Sequence, residues 1–135
     1  TEVTETEGEK ITTYKLPSLE NKKLDEARQL LTANNITNQI IIGNGDKVIN
    51  QYPEKNISIT NKDKIFLVTN DSNITIPDVN GYSSKDATSL LNLLGIKTKL
   101  TGTGYVTAQS IAAGTAITQG MEIELTLNPK FDAGQ

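Results

Sequence analysis

A serine or threonine nucleophile needs a base beside it, and this 135-residue chain contains no His and no Cys. That removes thiol chemistry, disulfides, zinc sites of the usual kind and any histidine base. A lysine base is missing too, because no Ser is followed three residues later by Lys. Paired carboxylates occur at Asp25-Glu26 and at Glu122 with Glu124. Glycosidase chemistry sets two carboxyls across a cleft from different elements, whereas these pairs fall on a helix surface and a strand face. Asp71, Asn73 and Thr75 have the alternate spacing of a calcium loop, but Ile76 and Tyr82 stand where the turn Gly and bidentate Glu belong. Gly43-Asn44-Gly45 and Gly102-Thr103-Gly104 precede strand-like runs, so they read as turns and not as a phosphate cradle at a helix start. Asn35, Asn56 and Asn73 open glycosylation sequons, which an Asn-rich chain produces by chance. The chain by itself is expected not to be an enzyme, and no cofactor or metal is implied.

The elements available to position a site come in two copies. Ile76 to Ile96 reads as a short strand edge at Pro77, a turn at Gly81, and a helix whose Ser83 and Asp86 have capping-box spacing. Ala87, Leu90, Leu91 and Leu94 share one helical face, and Gly95 stands at the left-handed C′ position. Sixty residues earlier, Pro17, Leu19, Ala27, Leu30, Leu31 and Ile36 match Pro77, Val79, Ala87, Leu90, Leu91 and Ile96. Gly81 aligns with Asn21, Gly95 with Asn35 and, after a two-residue shift, Gly114 with Asn56. Asn is the non-glycine residue that best tolerates φ > 0, so the exchanges indicate one backbone used twice.

Each copy reads as strand, helix, then about three strands. In the first, Lys15 to Leu19 is a strand, Asn21 caps a helix through Asn34, and Leu24, Ala27, Leu30 and Leu31 face inward. Lys22, Lys23, Asp25, Glu26 and Arg28 form its solvated side. Asn44-Gly45 between two β-prone runs predicts a hairpin. Gln51-Tyr52-Pro53 then leads into a polar loop, and Lys64 to Thr69 reads as a buried strand. In the second copy the corresponding runs are Lys97 to Leu100, Tyr105 to Gln109 and Glu122 to Leu127. The predicted class is α+β, two tandem small domains, each one helix on a three-stranded antiparallel sheet with a short extra N-terminal strand. The predicted boundaries are 1–13 linker, 14–70 first repeat, 71–128 second repeat and 129–135 tail, with a short polar link at 70–73.

Net charge of −3 and a pI near 4.9 argue against nucleic acid and polyanionic polymers as main partners. No apolar run approaches membrane-spanning length and the first residues do not read as a signal peptide, so no direct membrane insertion is expected.

The ordered set Ile76-Pro77-Asp78-Val79-x-Gly81, Ala87, Leu90-Leu91, Leu94-Gly95-Ile96, Val106 and Gln109 resembles the PASTA domain. This module is shared by penicillin-binding proteins and bacterial Ser/Thr kinases. The first copy keeps Leu16-Pro17, Ala27, Leu30-Leu31, Ile36, Gly45 and Gln51-x-Pro53, and departs at Ser18, Asn21 and Asn56; the second departs at Ile111, where the family usually has Pro. The resemblance implies a non-catalytic module on the extracellular face of the membrane, at the cell wall or septum of a Gram-positive-type bacterium. Two repeats and a short tail look like the C-terminal pair of a class B, division-type penicillin-binding protein; a fragment of a kinase ectodomain is the alternative. The implied partners are peptidoglycan or muropeptides, the transpeptidase domain of the same chain, and division proteins. A sugar or peptide site wants an aromatic platform with converging polar groups, which here points to Tyr82, Ser83 and Lys85 before the second helix, with Tyr105 behind them. Lys22 at the position of Tyr82 leaves the first copy without that platform.

Overall fold

The computed structural model describes residues 3–6 and 9–129. The chain divides into two compact units between Ser72 and Asn73. In the first, β1 (Val3–Thr6) and β2 (Glu9–Lys15) form an antiparallel pair, followed by α1 (Leu24–Ala33), β3 (Gln39–Ile42), β4 (Val48–Tyr52), β5 (Ser58–Thr60) and β6 (Ile65–Thr69). The second contains α2 (Ser84–Leu93), β7 (Lys97–Thr101), β8 (Tyr105–Gln109) and β9 (Glu122–Asn128). Each unit is α+β with one helix on a three-stranded sheet, as its periodicity predicted, and the first unit adds a second three-stranded sheet, β1-β2-β5.

The direction of one strand pair differs from expectation. In both sheets the last strand lies in the middle, giving the orders β3-β6-β4 and β7-β9-β8. It pairs in parallel with the strand after the helix and antiparallel with the other. The sheets are therefore mixed, and the hairpin predicted at Asn44-Gly45 does not form, because β6 separates its two arms. The central strand of the first unit, β6, is buried along its whole length from Ile65 to Thr69, whereas β9 holds the same place with one face exposed. What the two share is that the central position satisfies both rows of the strand's backbone groups, one of which an edge would leave unpaired. The turn amides of residues 44–46 are instead taken by the side chains of Asp71, Thr69 and Asn70.

All three predicted Asn-for-Gly exchanges hold: Asn21, Asn35 and Asn56 have φ of 72, 68 and 69°, against 88, 81 and 91° for Gly81, Gly95 and Gly114. Asn21 is consequently a turn residue and not the helix cap it was expected to be. The N-cap of α1 is Lys23, which makes no side-chain cap bond. The first strand also starts and stops earlier than predicted. β2 occupies much of the stretch expected to be linker and pairs with β5 from Thr13↔Thr60 to Lys15↔Ser58. Threonine-rich sequence suits a strand, whereas Pro17 cannot donate to a ladder and ends it. The expected tail, 129–135, lies outside the described residues beyond Pro129.

Leu16, Leu19, Ala27, Leu31, Ile36, Val48, Ile59, Ile65 and Leu67 make the core of the first unit. In the second unit Ile76, Val79, Ala87, Leu90, Leu91, Ile96, Val106, Ile123, Leu125 and Leu127 are buried. Leu94, expected on the same helical face, is only half-buried. Strand β9 alternates strictly, with Glu122, Glu124, Thr126 and Asn128 exposed. No described helix is long and apolar enough to cross a membrane.

Candidate functional site

The turn before α2 is assembled from residues far apart in the chain. Gln109 reaches back from β8: its Oε1 accepts from the Val79 amide at 3.0 Å and its Nε2 donates to the Pro77 carbonyl at 3.1 Å. Asp78 Oδ1 accepts from the Asn80 amide at 3.0 Å, which tightens the turn. The Gly81 amide donates to Val106 O at 2.8 Å, Val106 N donates to Tyr82 O at 2.9 Å, and Ser84 N donates to Gly104 O at 2.9 Å. Between them Ser83 and Tyr105 face each other in an isolated antiparallel bridge.

This ladder decides where the predicted residues stand. Partners across a bridge present their side chains on the same side, so Ser83 and Tyr105 are neighbours. Tyr105 is 41% exposed. Ser83 is the N-cap of α2, its Oγ accepting from the Asp86 amide at 3.2 Å, as the capping-box spacing predicted. Tyr82 is half-buried and joined to this pair through its backbone, and Lys85 is exposed on the first helical turn. Sequence reasoning missed the surroundings of Tyr82. Burial raises its phenol above the usual tyrosine value, and the negative charges of Asp78 and then Asp86 raise it further. The group is a phenol kept protonated beside two carboxylates. Asp78 stood in the PASTA-like motif and Asp86 in the capping pattern, but a pattern along the chain does not reveal which ring the two carboxylates flank.

The first unit uses the same backbone with other side chains. Lys23 and Lys47 form the equivalent bridge, and Val48 N donates to Lys22 O at 3.0 Å. Lys22, Lys23 and Lys47 thus replace Tyr82, Ser83 and Tyr105. The residues set aside by sequence reasoning occupy surface. Asp25, Glu26, Glu122 and Glu124 are exposed, and Glu124 Oε2 accepts from Thr101 Oγ1 at 2.7 Å. Gly102 and Gly104 pass so close to β9 that a Cβ on either would collide with the Leu127 or Asn128 carbonyl. That contact accounts for the glycines without a phosphate. Among the described residues no group of three or more acidic side chains is placed to hold a metal ion.

The PASTA domain model matches residues 14–71 and again 74–129. The chain belongs to the PASTA domain family. PASTA domains are non-catalytic binding modules, found in extracellular regions of membrane-anchored penicillin-binding proteins and kinases. The PASTA pair is similar to penicillin-binding protein 2X from Streptococcus thermophilus, with 28% identity and a TM-score of 0.72 over 87% of this chain. It spans only 17% of that protein. It is also similar to the three-PASTA-domain of a Ser/Thr kinase from Staphylococcus aureus, with 19% identity, a TM-score of 0.39, and coverage of 87% of this chain and 66% of that one. The complete extracellular region of a Ser/Thr kinase from the same species matches at 21% identity and a TM-score of 0.39, with 47% of it covered.

Proposed function

We propose that this PASTA pair is the non-catalytic, wall-facing part of a penicillin-binding transpeptidase that acts in septal peptidoglycan synthesis. In that role it docks to the catalytic domain or to division proteins, and its second repeat makes weak contact with uncrosslinked peptidoglycan. The observation that carries the parent assignment is the likeness to penicillin-binding protein 2X across both repeats, at 28% identity. The wall contact is proposed at Tyr82, Ser83, Lys85 and Tyr105. An exposed ring beside the helix cap, a protonated phenol and an exposed ammonium offer stacking, donor and cationic contacts to a sugar or a stem peptide. Lysines fill the corresponding positions of the first repeat, so it is assigned docking and not ligand stacking.

The test is an NMR titration of the pair with soluble muropeptides up to millimolar concentration. Shifts confined to the segment from Tyr82 to Asp86 and to Tyr105, abolished in Tyr82→Ala, are expected. A flat titration removes wall binding and leaves docking as the role. Binding with shifts centred on the first repeat would move the site.

A further inference from the structure

Two asparagines directly precede glycine, Asn44-Gly45 and Asn80-Gly81, and both asparagines are exposed. In such a dipeptide the glycine nitrogen reaches the asparagine carboxamide readily, since no Cβ obstructs the approach. The nitrogen bonds to the asparagine Cγ, the Cγ–Nδ2 bond breaks, and ammonia leaves carrying the amide proton. Solvent water then opens the resulting succinimide at either carbonyl, giving isoaspartate or aspartate. The glycine N–H must leave its hydrogen bond first, so whatever holds that amide governs the rate.

The two amides are held very differently. Gly81 N donates at 2.8 Å to the carbonyl of Val106, a fully buried strand residue whose own amide returns a bond to Tyr82 O. Its release breaks into a backbone ladder that also holds Tyr82 and Ser84. Gly45 N donates at 3.0 Å to a side chain, Thr69 Oγ1, which in turn donates to Ile42 O at 2.8 Å. The neighbouring turn amides also hang on side chains: Asn44 N on Asp71 Oδ2 at 2.9 Å and Asp46 N on Asn70 Oδ1 at 3.1 Å. No hydrogen bond restrains the Asn44 carboxamide among the described residues. The difference is one of bond type and not of burial, since Thr69 is itself buried: Gly45 N is freed when a single hydroxyl bond breaks, whereas Gly81 N belongs to a run of backbone bonds joining residues 81–84 to 104–106.

We propose that Asn44 is a native-state deamidation site gated by the Thr69 hydroxyl, and that Asn80 is protected by the fold. Reaction at Asn44 sets a new carboxylate beside Asp46 and Asp71, and in the isoaspartate product lengthens the backbone within the turn. The isoaspartate turn therefore cannot keep its three side-chain bonds in register.

The folded protein is incubated in mildly alkaline buffer made with heavy-oxygen water, and isotope incorporation at each site is followed by peptide mass spectrometry. Asn44 is expected to react ahead of Asn80 in the folded protein, and the two are expected to react at similar rates in denaturant. Thr69→Val, which removes the hydroxyl and keeps the shape, is expected to speed Asn44 by roughly two- to tenfold, the effect of losing one hydrogen bond, with Asn80 unchanged. Asn80 reacting as fast as Asn44 in the folded wild type would overturn the proposal. An unchanged Asn44 rate in the variant, or equal acceleration of both sites, would overturn the gate.

Discussion

Gln51 Oε1 accepts a hydrogen bond from the Leu19 amide at 2.6 Å, inside the first unit. The Gln51 Nε2 donates to Pro17 O and Pro53 O, both at 3.2 Å, and Gln109 holds Val79, Pro77 and Ile111 in the same way. The segment around each Pro lies outside the sheet, so its backbone groups need partners from elsewhere, and one carboxamide supplies them. Each glutamine therefore fixes the path of the chain into the turn before the helix.

Gln51→Leu is expected to destabilise the first unit by about 2–3 kcal/mol, because it leaves buried backbone groups unpaired. Gln109→Leu is expected to do the same to the second unit and to disorder the turn that carries Tyr82. Urea unfolding followed by site-resolved NMR would assign each loss to its unit. A loss under about 0.5 kcal/mol would mean that water replaces the carboxamide.

Capping should be transferable between the units. Ser83→Ala removes a bond to the Asp86 amide and is expected to cost about 1 kcal/mol. Lys23→Ser places a capping hydroxyl where none exists, and is expected to stabilise the first unit by about 0.5–1 kcal/mol. Midpoints of denaturant unfolding check both signs.

Gly95 isolates the effect of backbone conformation. It has φ of 81°, and a Cβ there would meet nothing within 4 Å. Gly95→Ala is expected to cost about 1 kcal/mol through the left-handed backbone alone. Gly95→Asn, the exchange already present at Asn35, is expected to cost clearly less. Thermal unfolding of the two variants decides the order.

Raised phenol pKa values make stability sensitive to alkali. A folded state that holds its proton more tightly than the unfolded chain loses stability as pH rises. For Tyr82 the loss begins near the ordinary value of 10.0 and continues through its raised folded value. Tyr14 in the first unit, raised by burial, adds a loss of the same sign. Tyr82→Phe is expected to flatten the alkaline decline of the second unit only. Phenolate absorbance in folded and unfolded protein, compared across the variant, measures the difference directly.

The repeat, the two helices, the cap at Ser83 and the left-handed turns at Asn21, Asn35 and Asn56 were all determined by the sequence alone. The repeat shows as matches sixty residues apart, and the cap and turns depend on residues within about one helical turn, where side-chain chemistry acts directly on φ and ψ. Local patterning went wrong where a stronger nonlocal interaction won. Asn44-Gly45 carries a hairpin signal, yet its two arms are parted by β6, which pairs with both of them. Asn21 had cap chemistry but was needed two residues earlier, as a turn with positive φ. The same division holds at the candidate site. Tyr82, Ser83, Lys85 and Tyr105 could be named from their types, whereas the bridge from Ser83 to Tyr105 and the carboxylates around Tyr82 were decided by tertiary structure. Strand pairing and charge proximity depend on distances between residues far apart in the chain, which no local pattern contains.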